Sequence, residues 1–321
     1  ALPVMLDRDY DPSLATGTIA ASGTLGILIP PSIMLVIMAD LLSISVGTLF
    51  LAAVVPGFLL AFIYTVYIYL RTKFNPKLAP PLPDDLGPKT KTELWKMIFK
   101  SFIPPIFLIM CVLGSIFAGI ATPTEAAAVG ALGSILLALF NKRLTKTVIK
   151  SVTERSALTC AMIFGIFIGA TAFSYVFRSL GGDDLIHHFV ESMGLGSWGI
   201  LFFMMGMVFL LGFFFDWVEI TLIVLPLFAP ILATLDFGTH LDPTMVIPWV
   251  AVLIAVNLQT SFLTPPFGFA LFYLKGVAPP SIKIQTIYKG IIPFVLLQLV
   301  GLILIIIFPE LVLWLPTKLL D

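Results

Sequence analysis

Apolar runs of span length recur along the whole chain, separated by short charged loops, and this spacing confines the fold to a helical membrane protein. A helix needs about 20 mostly apolar residues to cross a bilayer core. Reading the runs between polar punctuation predicts spans near residues 12 to 40, 47 to 70, 97 to 118, 124 to 140, 156 to 179, 243 to 275 and 290 to 308. Composition agrees: 59% of the 321 residues are apolar and only 11% charged, with a mean hydropathy of +1.08, far from a soluble domain. The recurrence excludes a signal peptide or a single anchor. Residues 197 to 235 are apolar but too long for one span, and "FFFDWVE" interrupts them. They read as a re-entrant hairpin with a polar tip, Phe213 to Glu219, at membrane depth. The competing reading of that tip is a shallow, hydrated one.

Loop charges test this topology, because Lys and Arg crowd onto the cytoplasmic side. Arg71 to Lys100, Lys142 to Arg155 and Lys275 to Lys289 mark three loops of one parity, which with Arg8 leave only Arg178 and Lys318 of the 18 basic residues for the other face. That parity requires the hairpin to enter and leave from outside. A zero net charge provides no field to recruit nucleic acid,. Cys111 and Cys160 lie in apolar segments without metal or disulfide spacing,. The Pro-rich, charged stretch 73–91 reads as an extended cytoplasmic connector,. The opening "ALPVMLDRDYD" has no start Met and begins mid-pattern, so the chain reads as a piece lacking its N-terminal part.

Two segments share an order of landmarks. The first runs Leu2-Pro3, Asp11-Pro12, then a span broken at Pro30-Pro31; the second runs Leu225-Pro226, Asp242-Pro243, then a span broken at Pro265-Pro266. By the loop charges the first broken span runs outward and the second inward, the pattern of an inverted repeat. Proline lacks an N–H and clashes four residues back, so Pro30 should free the carbonyl of Gly26, and Pro265 that of Ser261. Such a break is tolerated in a bilayer only where it is buried in protein or lines a polar cavity. Ser22, Gly23 and Thr24 beside one break, and Asn257, Gln259, Thr260, Ser261 and Thr264 beside the other, supply oxygen ligands that favour a hard cation. New half-helices starting near Ser32 and Gly268 offer N-termini to a carboxylate,. Asp216 and Glu219 at the hairpin tip are intramembrane acids and so candidates for function,.

Other features read as structural. Thr122, Pro123 and Glu125 form a capping box opening a span, Pro104-Pro105 a simple kink, and His187 and His188 part of an interfacial amphipathic segment,. Lys275 complements a helix C-terminus. No nucleophile–base pair, Walker loop or HExxH occurs, so neither catalysis nor ATP hydrolysis is expected.

"ATGTIAASGTLGILIPPSI", "GIATPTEAAAVGAL" and "TSFLTPPFGFALFYLKGVAP" resemble, in order and across essentially the whole chain, the large membrane subunit of tripartite ATP-independent periplasmic (TRAP) transporters, DctM-like. The resemblance implies an all-α polytopic membrane protein of the ion-transporter superfamily, elevator type, with inverted repeats, discontinuous helices and re-entrant hairpins. It implies a bacterial inner-membrane importer driven by sodium, working with a small DctQ-like membrane subunit and a periplasmic DctP-like binding protein that delivers a small organic acid. It places the backbone of Gly26, Ile29 and Pro31 at one sodium site, and Thr260, Ser261, Thr264 and Pro266 with the tip, including Gly212 and Asp216, at a second. Substrate would meet Ser32, Asn257, Gln259, Gly268 and Glu219. On this reading residues 1–72 hold the end of a first hairpin, the first broken helix and a span; 73–96 a linker; 97–180 scaffold spans; and 181–321 the second hairpin, second broken helix and last span. The Ser- and Gly-rich tip of the first hairpin is expected before Ala1, so this piece should not transport alone. Glu219 departs from the smaller or uncharged residue expected at the second tip. A sodium/proton antiporter, an ion channel and a non-transporting scaffold are the competing readings.

Overall fold

Each broken helix opens on an Asp-Pro pair whose carboxylate caps the turn that follows. Asp11 Oδ1 accepts from Leu14 N at 2.8 Å and Asp242 Oδ1 from Thr244 N at 2.8 Å, while the proline occupies the one early position where its missing N–H is harmless. The computed structural model describes residues 1–81, 87, 88, 90–265 and 268–320, without the side chains of 183, 187, 191, 269 and 320. Its helices are α1 Leu2–Leu6, α2 Pro12–Leu28, α3 Ile33–Leu41, α4 Val46–Phe74, α5 Lys91–Ser101, α6 Ile103–Phe117, α7 Pro123–Phe140 and α8 Lys146–Ser179. They continue as α9 Gly182–Ser192, α10 Ser197–Leu211, α11 Trp217–Leu232, α12 Val246–Leu263, α13 Phe269–Val277, α14 Ile284–Ile307 and α15 Glu310–Leu320. Among the described residues seven segments are long and apolar enough to cross a bilayer, each overlapping one of the expected spans. The protein is all-α and polytopic.

Several boundaries refine the expected ones. The run over 243 to 275 is divided at the expected break: Pro243–Leu263 is long enough to cross and α13 resumes beyond it. Pro104 and Pro105 lie in the first turn of α6, just after a one-residue interruption at Phe102 that divides the apolar segment Lys91–Phe117 where a kink was expected. The connector expected over 73–96 is shorter at both ends, because α4 persists to Phe74 and α5 begins at Lys91; its residues 82–86 and 89 lie outside those described. Thr122 and Glu125 do form the capping box, with Thr122 N donating to Glu125 Oε2 at 2.8 Å.

The chain folds as two compact units, one of residues 81–166 and one of 1–80 with 167–321. In the first, α6 and α7 approach through glycine: a Cβ on Gly130 would stand 3.2 Å from Val112 Cγ2, and one on Gly133 would overlap Leu108. Small residues at such crossings drive helix association in lipid, where no hydrophobic effect separates helix from solvent.

The second unit is built around α12, buried at every residue from Pro248 to Leu263. Its direction is fixed by contacts with α14. Trp249, in the first turns of α12, donates from Nε1 to the carbonyl of Ile305 near the end of α14, at 3.1 Å. Ser13 and Gly17, at the start of α2, instead pack on Gly290 in the first turns of α14, where a Cβ on either glycine would overlap the other helix's backbone. Thus α2 runs with α14 and α12 against it, and the two broken helices enter from opposite ends. They end alike, α2 at Leu28 and α12 at Leu263, each just before its proline pair, and each is followed by a half-helix of 9 residues.

Candidate functional site

The hairpin α10–α11 turns through Gly212 to Asp216, and that tip is seated on the second break. Gly212 is buried, and a Cβ there would lie 2.6 Å from Ser261 Cβ and overlap the Ser261 hydroxyl. Only glycine permits this approach. About one turn earlier in α12, Asn257 Nδ2 donates to Met205 O of α10 at 2.7 Å, so Asn257 fixes the hairpin arm rather than standing free for substrate. Asp216 caps α11, its Oδ1 accepting from Trp217 N at 2.8 Å.

Three hydroxyls line the end of α12. Thr260 Oγ1 donates to Val256 O at 2.8 Å, Ser261 Oγ to Leu258 O at 2.8 Å and Thr264 Oγ1 to Thr260 O at 2.7 Å. Each hydroxyl has one proton, and here the helix takes it, so only lone pairs are left for any partner. Thr260 and Ser261 are fully buried. Such oxygens suit a hard cation.

The expected freeing of the Ser261 carbonyl by Pro265 is not what the chain does. Thr264 N turns back to Ser261 O at 3.1 Å, and Gly268 N bonds Thr264 O at 3.2 Å, so a tight turn recaptures the carbonyl. Gly268 is required by this turn, because a Cβ would overlap Phe262 O and stand 3.1 Å from Thr264 O. Its N–H is spent there and is not offered to a carboxylate. Pro266 lies outside the described residues.

At the first break the expected ligands do not converge. Ser22, Gly23 and Gly26 lie on an exposed face, with nothing within 4 Å of a Cβ built on either glycine. Ser22 Oγ donates to Thr18 O at 2.7 Å. Thr24 is 5% exposed and turned to α12; two residues along a helix is about 200° of rotation, which separates it from Ser22. Ile29 packs on Gly57 of α4, and Pro31 is exposed. Ser32 is buried, and its hydroxyl donates across the break to Ile27 O, fastening the break rather than presenting itself to an anion.

What joins the two broken helices is Gln259, whose Nε2 donates to Thr24 Oγ1 at 3.4 Å. Gln259 Oε1 is buried without a hydrogen-bond partner, as are Glu219 Oε2 and Thr221 Oγ1 on α11. A buried oxygen left unpaired costs about 1–3 kcal/mol, so these atoms mark where a ligand would be stabilised. Among the described residues no three His, Cys, Asp or Glu side chains come together. Sequence reasoning passed over Thr221, which carries no motif and whose buried hydroxyl oxygen lacks a hydrogen-bond partner.

Comparison with known proteins gives this arrangement a family. The model of the family "Tripartite ATP-independent periplasmic transporter, DctM component" matches residues 1–311. The chain is 32% identical over 98% of its length, and 70% of the relative's, to the C4-dicarboxylate TRAP transporter large permease protein DctM of Pseudomonas aeruginosa. It is 29% identical to the sialic acid TRAP transporter permease protein SiaT of Haemophilus influenzae, over 99% of this chain and 49% of the relative. Against the ectoine TRAP transporter large permease protein TeaC of Halomonas elongata it is 28% identical, over 98% of this chain and 70% of the relative. Matched in this way along nearly all its length, the chain belongs to the DctM family of TRAP transporter large permeases, multi-pass proteins of the bacterial inner membrane that are transporters and not enzymes.

Proposed function

We propose that this chain is the large transmembrane subunit of a sodium-driven importer that moves a small organic acid into the cytoplasm. The observation that carries the reading is the Gly212–Ser261 contact, which seats a hairpin tip at the end of α12 where the buried hydroxyls of Thr260 and Ser261 and the half-buried hydroxyl of Thr264 carry free lone pairs. Sodium is cargo here, bound by lone pairs of hydroxyl oxygens whose protons are already donated to helix carbonyls. Broken helices entering from opposite ends support alternating exposure of one fixed site, in an elevator manner. Relatives named for C4-dicarboxylate and sialic acid transport support a carboxylate as the solute. Partners are a small DctQ-like membrane subunit and a periplasmic DctP-like binding protein that delivers the acid. Reconstituted with both, the permease takes up succinate or another small carboxylate only when an inward sodium gradient and the binding protein are present. Uptake independent of both refutes the reading.

A sodium/proton antiporter or ion channel is the second reading, favoured by the buried, unpartnered Glu219 Oε2. It requires pH-dependent sodium flux in vesicles containing no organic solute, which the importer does not produce.

A further inference from the structure

An open groove of about 880 Å³ lies where α14 turns into α15, bounded also by the loop leading into α12. His240, Asp242, Phe308, Glu310, Trp314 and Lys318 are among its lining residues. By the loop charges it sits at the outer end of the spans, where α14 leaves the apolar layer. Ile307, Phe308 and Trp314 are 53%, 54% and 55% exposed, a half-covered apolar rim at the depth where lipid tails give way to headgroups, the level at which Trp collects.

Charges of both signs line this groove, yet they do not satisfy one another. Among the described residues no ion pair joins Lys318 to Asp242 or Glu310; Lys318 Nζ instead stands over the Trp314 ring, 5.3 Å from its centroid. Thr244 donates to Asp242 Oδ1 from its hydroxyl at 2.6 Å and its N–H at 2.8 Å, and these bonds hold the Asp242 carboxyl below the usual range. Asp242 therefore stays ionised to lower pH than an ordinary aspartate. A zwitterion with its two charges a few bonds apart complements such a surface; an anion alone leaves the acids repelled, and a cation alone leaves the lysine unmet.

We propose that this groove binds a phosphatidylethanolamine molecule, with the ammonium held by Asp242 and Glu310, the phosphate by Lys318, and an acyl chain lying along Ile307 and Phe308. The ammonium has three N–H donors for two carboxylates. Phosphatidylcholine, whose quaternary nitrogen donates none, fits less well, and phosphatidylglycerol lacks the cation altogether.

The test is thermal unfolding of the purified permease complex in detergent, with each of these three lipids added at matched acyl composition. Phosphatidylethanolamine is expected to raise the midpoint by several degrees, phosphatidylcholine by less than half of that, and phosphatidylglycerol not at all. The shift should fall by more than half in Lys318→Ala and in the Asp242→Asn/Glu310→Gln double variant, each compared with its own lipid-free midpoint. Equal shifts with all three lipids, or an ethanolamine shift that survives both variants, overturn the proposal. So does protection of the groove by the periplasmic binding protein with no lipid discrimination, which assigns the surface to a protein partner.

Discussion

Gln259 Nε2 and Thr24 Oγ1 meet at 3.4 Å between two helices that enter from opposite ends, while the other side-chain atom of the same amide, Oε1, is buried with no partner. One amide thus links the halves of the repeat and leaves an unmet acceptor between them. Replacing Gln259 by Leu, similar in volume, removes the link and the unmet acceptor together. Loss of the hydrogen bond costs about 1 kcal/mol and loss of the orphan returns a comparable amount, so the unfolding midpoint should scarcely move. Apparent sodium affinity for uptake should fall by about tenfold or more, the equivalent of one lost charge-assisted contact. Kinetics against sodium concentration, alongside the midpoint, separates the two effects.

The seat of the hairpin tip on Ser261 predicts a specific rescue. Gly212→Ala places a methyl against the Ser261 side chain, and overpacking of this kind costs about 1–3 kcal/mol. Ser261→Ala does not relieve it, because the Cβ atoms themselves stand 2.6 Å apart. Ser261→Gly does. Midpoints of the three single and two double variants form two cycles in which only the Gly212→Ala/Ser261→Gly pair recovers stability. Transport stays impaired in that pair, since a proposed sodium ligand has gone.

A crossing of α2 and α14 at Gly17 and Gly290 should be equally intolerant. Alanine at either position meets backbone, not a movable side chain, and should destabilise by about 1–3 kcal/mol. Gly23→Ala, facing open space in the same helix, should instead stabilise by up to about 1 kcal/mol. Detergent unfolding curves for the three variants make the comparison.

These contacts show how far the sequence could be read. The spans, the capping box at Thr122, the inward hairpin and the proline breaks were all legible, because hydropathy, proline chemistry and basic-residue bias act locally along the chain. Convergence was not. Ser22 and Thr24 are neighbours in sequence, yet helical rotation sends one to an exposed face and the other into α12. Proline at 265 foretold a freed carbonyl at Ser261, but whether the chain would turn back and recapture it depended on Gly268, whose role emerges only from the closeness of Phe262 O. Gly17 and Gly290 meet across more than half of the chain, and nothing in either segment announces the other.

Asp242 predicts a pH effect outside the membrane. Its carboxyl is held below the usual range in the folded protein by the Thr244 hydroxyl and N–H. The stabilisation is therefore present above the unfolded-state pKa and disappears as pH falls through the lower, folded-state value. In lipid-free detergent, Asp242→Ala should lower the unfolding midpoint at neutral pH, and the gap from wild type should close as the solution is acidified below the ordinary carboxylate range. A gap independent of pH contradicts this.

Sodium binding at the hairpin tip can be measured without any solute, because Trp217 follows Asp216 at the start of α11 and reports on that turn. Sodium added to the purified permease should change the tryptophan emission saturably and raise the unfolding midpoint, by about 2.7 kcal/mol of stability at a hundred times its dissociation constant. Potassium at the same concentration should do neither, and Ser261→Ala and Thr264→Ala should each weaken the sodium response severalfold. A response identical for sodium and potassium, or one unchanged in both variants, contradicts a sodium site beneath the Gly212–Ser261 contact.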